Sequence, residues 1–272
     1  MGRDAVEGAQ INLDCRGSAF MKISYDGALV DIENAPCTST GWLIGAGIFE
    51  TIRTVNGLAY AFTRHMDRAQ KSALIKRLEF PNTALIESAV NELLMAEPLP
   101  DGLLRISFDK NGSWAAVHLP YEAPAKAAKI RIHPQALVSH GETIKSYPYG
   151  DRLAILEEAK SLGFDEAIIT STEGNICEGA VSNIILLIDG EWITPPTSDG
   201  VLPGIMRGLV LDYCDVKIAP LHISRINNVE SAILLSSLRI AQTIESIDGR
   251  TLAPSQAFSE EIQAMAVLHS VG

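Results

Sequence analysis

Residues 177–183 read Cys-Glu-Gly-Ala-Val-Ser-Asn, and residues 200–207 read Gly-Val-Leu-Pro-Gly-Ile-Met-Arg. The apolar neighbours of Glu178 indicate a carboxylate close to a buried surface, where an unpaired charge is costly. Gly204 opens a predicted helix that runs to Tyr213, and the first amides of a helix have no partner inside it. The two stretches therefore predict a buried carboxylate and, soon after it in the chain, a helix terminus that can bind an anion.

Lys145 precedes Glu178 by 33 residues (178 − 145) and is followed by Pro148, which disfavours a helix there. Pyridoxal 5′-phosphate needs an amine for its aldehyde, a carboxylate that keeps its pyridine nitrogen protonated, and a site for its phosphate. Lys145, Glu178 and the turn at Gly204 could supply these three attachments. Taken singly, Lys145 could be a solvated surface amine, and Glu178 a strand-end carboxylate paired with an ordinary Lys or Arg.

The composition narrows the classes of partner. The chain has 272 residues, of which 47% are hydrophobic and 20% are charged, so it can bury a full core. Its net charge of −11 comes without a basic stripe, which argues against nucleic acid. The strongest apolar runs, such as 184–188, are strand-length and fall short of the roughly 20 residues of a membrane span. We therefore expect neither a nucleic-acid partner nor a membrane partner.

Cysteine and histidine usage bears on metals and compartment. The four cysteines form no Cys-x-x-Cys pair, and the six histidines show no ligand spacing, so we expect no metal site and no disulfide framework. Residues 1–20 are polar and lack an apolar signal core, so we expect them to be a disordered or non-native leader. A cytoplasmic location is the corresponding expectation.

Turn and helix signals predict an α+β chain in two domains. Asp26-Gly27 and Asn56-Gly57 are typical of hairpin turns, and Thr63 is placed to cap a helix. A segment at 122–129 contains a proline and no periodic apolar face, which is typical of a linker. We therefore predict an N-terminal α+β domain at 21–121 and a C-terminal α+β domain at 130–272, with Lys145 in the second.

Three arginines are candidates for binding anions, because a guanidinium matches a phosphate or a carboxylate with two parallel hydrogen bonds. We assign Arg68 to a phosphate, and Arg105 and Arg239 to a substrate carboxylate. The alternative for Arg68 and Arg105 is a stem packed on the core with its charged head in water. Ser237 could offer its hydroxyl to the same phosphate, or it could cap a strand end.

Seven motifs occur in order between residues 21 and 250. They are Gly47-x-Phe49-Glu50-x-x-Arg53, His65-Met66-Asp67-Arg68, the Lys145 stretch, Gly163-Phe164-Asp165-Glu166-Ala167, Glu178-Gly179-x-x-Ser182-Asn183, Pro203-Gly204-Ile205-x-Arg207 and Ser237-Leu238-Arg239. Their order resembles that of the class IV, fold-type IV pyridoxal phosphate enzymes. This family includes branched-chain aminotransferases, D-amino acid aminotransferases and 4-amino-4-deoxychorismate lyases.

The resemblance implies the two-domain fold-type IV architecture, similar to that of D-amino acid aminotransferase, and a homodimer. It implies Lys145 as the catalytic Schiff-base lysine and proton shuttle, and Glu178 as the partner of the ring nitrogen. The other cofactor-binding assignments are Arg68, Gly204, Ile205, Met206, Ser237, Ser182 and Asn183. The substrate-binding assignments are Arg105, Arg239 and Glu50, for a small amino substrate that carries carboxylates.

The resemblance leaves the reaction open between two branches. Residues 236–239, Ser-Ser-Leu-Arg, and Met206 are similar to the lyase version of these motifs, which favours 4-amino-4-deoxychorismate lyase in the folate pathway. The segment 147–150, Tyr-Pro-Tyr-Gly, departs from the asparagine common in the lyases, and Arg105 is similar to a carboxylate-binding arginine of transaminases. A branched-chain or D-amino acid aminotransferase is therefore the alternative. A catalytically silent coenzyme-binding protein is a third reading, which the presence of Lys145 and Glu178 disfavours.

Overall fold

The computed structural model describes residues 21–138 and 143–270, so the predicted leader at 1–20 lies outside the described residues. The described chain forms two compact units. The N-terminal unit comprises 21–122, 144–149 and residue 270, and the C-terminal unit comprises 123–138, 143 and 150–269. Each unit combines strands with helices, as the α+β prediction requires.

The N-terminal unit is built on one seven-stranded sheet. Its strands are β1 (Lys22–Tyr25), β2 (Ala28–Asp31), β3 (Gly47–Val55), β4 (Leu58–Ala59), β5 (Asp101–Asp109), β6 (Trp114–Pro120) and β8 (Ser146–Tyr147). The order is β2-β1-β6-β5-β3-β4, and β8 also pairs with β3. Helices α1 (Phe62–Lys76) and α2 (Thr83–Ala96) bury their apolar faces in the same core, where Ile52, Met66 and Val90 are almost fully enclosed.

The C-terminal unit contains a nine-stranded sheet and three helices. Its strands are β7 (Ala128–Ile132), β9 (Glu166–Thr170), β10 (Ile176–Gly179), β11 (Asn183–Ile188), β12 (Glu191–Thr194), β13 (Lys217–Ile218), β14 (Ser231–Ser236), β15 (Ile240–Ile247) and β16 (Arg250–Thr251). The order is β10-β9-β7-β15-β14-β11-β12-β13, with β16 paired to β15. The helices are α3 (Gly150–Ser161), α4 (Ile205–Tyr213) and α5 (Gln256–His269).

The placement of Lys145 corrects the predicted domain organisation. The segment 144–149 groups with the N-terminal unit rather than with the C-terminal domain predicted at 130–272. The reason is that β8 pairs antiparallel with β3, opposing Tyr147 to Gly47 and Ser146 to Ile48. In addition, β7 begins at Ala128, inside the predicted linker. A two-residue strand leaves no periodic signal, so the sequence could not reveal this pairing.

Short local signals set both predicted hairpins. Asp26 and Gly27 have φ of 48° and 88°, and Asn56 and Gly57 have φ of 49° and 78°, so each pair adopts the left-handed conformations of a tight hairpin turn. None of the helices in the described part of the chain combines the length and the apolar character that a membrane crossing requires.

Candidate active site

Lys145 lies on aromatic rings of the N-terminal unit. Its carbonyl accepts a hydrogen bond of 3.0 Å from the backbone amide of Phe49, which ties the segment to β3. Its Nζ is 4.4 Å from the ring centroid of Phe49 and 5.2 Å from that of Tyr149. Ring faces attract a cation, so these contacts hold the amine in one place.

A buried carboxylate next to Phe49 joins two residues of α1. Glu50 is 1% exposed. Its Oε2 is 2.6 Å from Nδ1 of His65, and Arg68 donates from Nε to Oε1 at 2.9 Å and from Nη2 to Oε2 at 2.5 Å. His65 and Arg68 are three residues apart on the helix, so they present side chains on one face. The result is a fork that fixes α1 on β3.

The charges of this group are set by burial and by each other. Burial alone would raise the pKa of the Glu50 carboxyl, but the charges and hydrogen bonds of Arg68 and His65 lower it to about 2. Burial lowers the pKa of His65, Arg68 and Lys145 lower it further, and Glu50 opposes them. Because the carboxylate of Glu50 is ionised, Nδ1 of His65 donates a proton to it in their hydrogen bond.

The assignment of Glu50 to the substrate stays a prediction. In the structure its carboxylate is enclosed and holds His65 and Arg68. The assignment of Arg68 to a phosphate stays a prediction. Two of the guanidinium nitrogens bind Glu50, which gives the side chain a fixed orientation.

Arg105, on β5, is a buried cation without a carboxylate in the described chain. It is 8% exposed, and its Nη1 donates to the carbonyl of Thr40 at 3.0 Å. Its Cζ stacks 4.1 Å from the ring centroid of Trp42, and its Nε has no hydrogen-bond partner. Burial lowers its pKa to about 10, so it stays protonated at pH 7. Among the described residues, no acidic side chain forms a salt bridge with it. A bound carboxylate would meet that need.

A chain of aromatic rings runs from Arg105 to Lys145 within the N-terminal unit. Trp42 packs edge-on against Phe49, with 4.8 Å between centroids, and Phe49 packs against Tyr149 at 5.3 Å. The guanidinium therefore lies on Trp42 and the amine lies on Phe49, two rings in direct contact. These surroundings suit a flat apolar group with a charged substituent.

In the C-terminal unit, Glu178 is held on both carboxylate oxygens. It is the penultimate residue of β10 and is 3% exposed. Oε1 is 2.9 Å from Nη2 of Arg152, while Oε2 accepts from Nδ2 of Asn183 at 2.9 Å and from the Leu202 amide at 3.0 Å. The predicted buried carboxylate is therefore present, and donors hold both of its oxygens. Asn183 acts through Glu178, which refines its assignment to the coenzyme.

The start of α4 lies close to this carboxylate in the chain and in space. Asn183 donates to both Glu178 and the carbonyl of Leu202, two residues before the N-cap of the helix, Gly204. No side chain caps the helix, and a Cβ on Gly204 would overlap Oδ1 of Asn183. A carboxylate beside an uncapped glycine-led helix terminus fits a pyridine nitrogen and a phosphate. The assignments of Gly204, Ile205, Met206 and Ser237 to the phosphate stay predictions.

Arg239 and Ser182 both contact a buried carboxylate of the same unit. Arg239 donates from Nη1 to Oε2 of Glu166 at 2.9 Å, and Ser182 donates its hydroxyl to the same oxygen at 3.2 Å. Glu166 is fully buried, so the pair is internal. The assignments of Arg239 to the substrate and of Ser182 to the coenzyme stay predictions.

The sequence analysis assigned no role in these groups to four residues: His65, Arg152, Glu166 and Trp42. Two of them had a signal. His65 lies three residues before Arg68, on the same helix face. Arg152 is a cation in the first turn of a predicted helix, where the helix dipole disfavours positive charge. Within the described residues, no group of three or more His, Cys, Asp or Glu side chains could hold a metal ion.

Residues 47–247 match the family described as amino-transferase class IV. The chain belongs to this family. A bifunctional aminodeoxychorismate lyase and D-amino acid transaminase of Mycobacterium tuberculosis is 22% identical over 262 residues, which cover 82% of this chain and 90% of that protein. The prediction of a class IV pyridoxal phosphate enzyme is therefore confirmed.

Solved structures show the same fold. The crystal structure of a branched-chain aminotransferase from Thermoproteus uzoniensis with norvaline matches with a TM-score of 0.81 and 25% identity, covering 92% of this chain and 95% of that one. An aminotransferase from Mycobacterium tuberculosis in its PLP-bound form matches with a TM-score of 0.79 and 20% identity, covering 91% and 99%. The fold-type IV prediction is thereby confirmed.

We predict that Glu50→Gln destabilises the protein in a pH-dependent way. The pKa of Glu50 is lower in the folded state, so its contribution is complete above the unfolded value of 4.5 and is lost as the pH falls towards 2. The unfolding free energies of the unmodified chain and the variant should converge by about 3 kcal/mol over that window. Urea unfolding at each pH measures it. Glu87→Gln, at an exposed carboxylate on α2, is the control, and an equal pH dependence for both variants would contradict the prediction.

Proposed function

We propose that the protein is a pyridoxal phosphate-dependent 4-amino-4-deoxychorismate lyase, which forms 4-aminobenzoate and pyruvate. The observation that carries the proposal is the buried guanidinium of Arg105 on Trp42, linked through Phe49 to the amine of Lys145. A substrate with a ring, an amine and a ring carboxylate matches these three features in type.

The charge of Arg105 gives the strongest constraint on the substrate. A buried cation that lacks a counter-charge is costly, and a hydrogen bond to a charged group contributes about 1.5–3 kcal/mol. The cost of burying the Arg105 cation is offset only when a substrate carboxylate binds it. Arg105 therefore favours substrates that present a carboxylate to it.

The residues have separate tasks in this reaction. The coenzyme supplies an electron sink for the bonds that change at the amine-bearing carbon. Lys145 would hold the coenzyme aldehyde through Nζ until the substrate amine displaces it, and the freed Lys145 amine would then take the proton from that carbon. Loss of that proton would supply the electron pair that breaks the bond between the substrate ring and the enolpyruvyl oxygen, which makes the ring aromatic. The leaving enolate would take up the proton held by Lys145 and become pyruvate, while the Glu178 carboxylate would face the ring nitrogen throughout.

The residues proposed for the coenzyme phosphate are Arg68, whose orientation is fixed by Glu50, Ile205 and Met206 at the start of α4, and Ser237. We include the homodimer implied by the family resemblance in the proposal. Light scattering after size-exclusion chromatography measures it.

A transaminase is the second candidate, and a specific observation favours it. The chain is similar to a protein named for both lyase and D-amino acid transaminase activities, and to a branched-chain aminotransferase structure at 25% identity. Arg105 could then bind the side-chain carboxylate of an acidic amino donor. Amino transfer would share the proton removal by Lys145, but the proton would return to the coenzyme and not to a leaving group, and a 2-oxo acid would then accept the amine.

The first test is product formation by the purified holoenzyme. With aminodeoxychorismate we expect 4-aminobenzoate and pyruvate in equal amounts, and no product from Lys145→Ala, because that variant lacks the amine that moves the proton. Chromatography and a lactate dehydrogenase assay measure the two products. Absence of both from coenzyme-loaded protein that transfers amino groups from a panel of L- and D-amino acids would contradict the lyase and establish the transaminase.

The second test concerns the substrate carboxylate. We expect Arg105→Gln to lower kcat/KM for aminodeoxychorismate by about 10- to 100-fold, mainly through KM, since a charged hydrogen bond of about 1.5–3 kcal/mol is lost. The control is Arg53→Gln, because Arg53 also lies on a ring, that of Tyr121, but already has Asp101 as its carboxylate. Equal steady-state parameters for the two variants would contradict the role of Arg105.

A further inference from the structure

Arg152 lies where a cation is unfavourable unless a partner requires it. It is in the first turn of α3, whose N-terminal dipole repels positive charge at a cost of about 0.3–1 kcal/mol. Its side chain is only 14% exposed. Both of its hydrogen-bond partners lie on β10: Nη2 is 2.9 Å from Oε1 of Glu178, and Nη1 donates to the carbonyl of Gly179 at 3.3 Å. The position of Arg152 is thus explained by Glu178.

Two further donors to Glu178 are neutral. Asn183 and the Leu202 amide bind Oε2, which orients the carboxylate without supplying charge. Arg207 is a further cation near Glu178, because Glu178 raises the pKa of Arg207 against the lowering by burial. However, Nε and Nη2 of Arg207 donate to Thr194 and Pro195. Arg152, in contrast, is in hydrogen-bonded contact with Glu178 itself.

When Glu178 shares a proton with a bound group, the distances of the two groups from Arg152 decide which of them Arg152 stabilises in its charged form. A coulombic energy falls as the separation grows, and the carboxylate is already at hydrogen-bond distance from the guanidinium. A ring nitrogen that binds the carboxylate without contacting Arg152 lies farther from the guanidinium than the carboxylate does. Arg152 therefore stabilises the ionised carboxylate more than it destabilises a cation bound there.

We propose that Arg152 is a positioning residue that keeps Glu178 ionised, so that the proton shared between Glu178 and the coenzyme lies on the pyridine nitrogen. The inference rests on the proposed role of Glu178 as the partner of that nitrogen. Glu178 and Arg152 together would determine how strongly the coenzyme ring withdraws electrons from the reacting carbon. It applies equally to a lyase and to a transaminase.

The test reads the proton directly. The holoenzyme is reconstituted with pyridoxal 5′-phosphate labelled with ¹⁵N in the ring, and the ¹⁵N chemical shift reports whether the nitrogen is protonated. We expect the pyridinium shift for the unmodified chain and for Arg152→Lys, which keeps the cation. For Arg152→Gln we expect a shift towards that of neutral pyridine.

Two further variants separate the possible outcomes. Arg131→Gln removes another arginine of the same unit, one paired with Glu158, and should leave the pyridinium shift unchanged. If Arg152→Gln keeps the pyridinium shift and Glu178→Gln loses it, the role of Arg152 is overturned and that of Glu178 stays intact. If Glu178→Gln keeps the pyridinium shift, the assignment of Glu178 is overturned and the inference with it. Circular dichroism confirms that each variant is folded, and Arg152→Lys retains the test if Arg152→Gln does not fold.

Discussion

A carboxylate removed from water must recover several kcal/mol of lost hydration from its neighbours, and three glutamates of this chain do so with an arginine. All three are almost completely buried, and each pair joins segments that are separate in the sequence. The pairs are Glu50 with Arg68, Glu166 with Arg239, and Glu178 with Arg152. They bind α1 to β3, the turn after β14 to β9, and α3 to β10. Removing one partner would leave a buried charge, so these segments are fixed together.

Arg105 differs from the three paired arginines, and the difference has a functional meaning. Arg68, Arg239 and Arg152 have their carboxylates within the protein, whereas no described residue supplies one to Arg105. Within the proposed function, Arg68 and the pair of Glu178 with Arg152 serve the coenzyme, and Arg105 meets the substrate carboxylate. The paired groups would hold the coenzyme in either reaction, and Arg105, which has no carboxylate among the described residues, would select the substrate. One scaffold could therefore support elimination or amino transfer.

The sequence predicted the features that short segments determine by themselves. The hairpins at Asp26-Gly27 and Asn56-Gly57 and the start of α4 after Gly204 depend on local backbone preferences, and the seven motifs identified the family. Thr63 was wrong as a cap, because α1 begins at Phe62 after a left-handed Ala61. The roles of Glu50 and Arg239 and the unit that holds Lys145 depend on contacts between distant segments, for which a single sequence carries no signal.

The central claim is that Lys145 is the amine that binds the coenzyme. Reduction of the holoenzyme with borohydride makes that bond permanent, and mass spectrometry of the digested protein locates it. The account predicts a phosphopyridoxyl group on the peptide that contains Lys145, with loss of the coenzyme absorbance and no labelled lysine in Lys145→Ala. A label on another lysine, or a holoenzyme that releases all its coenzyme unreduced, would contradict the account.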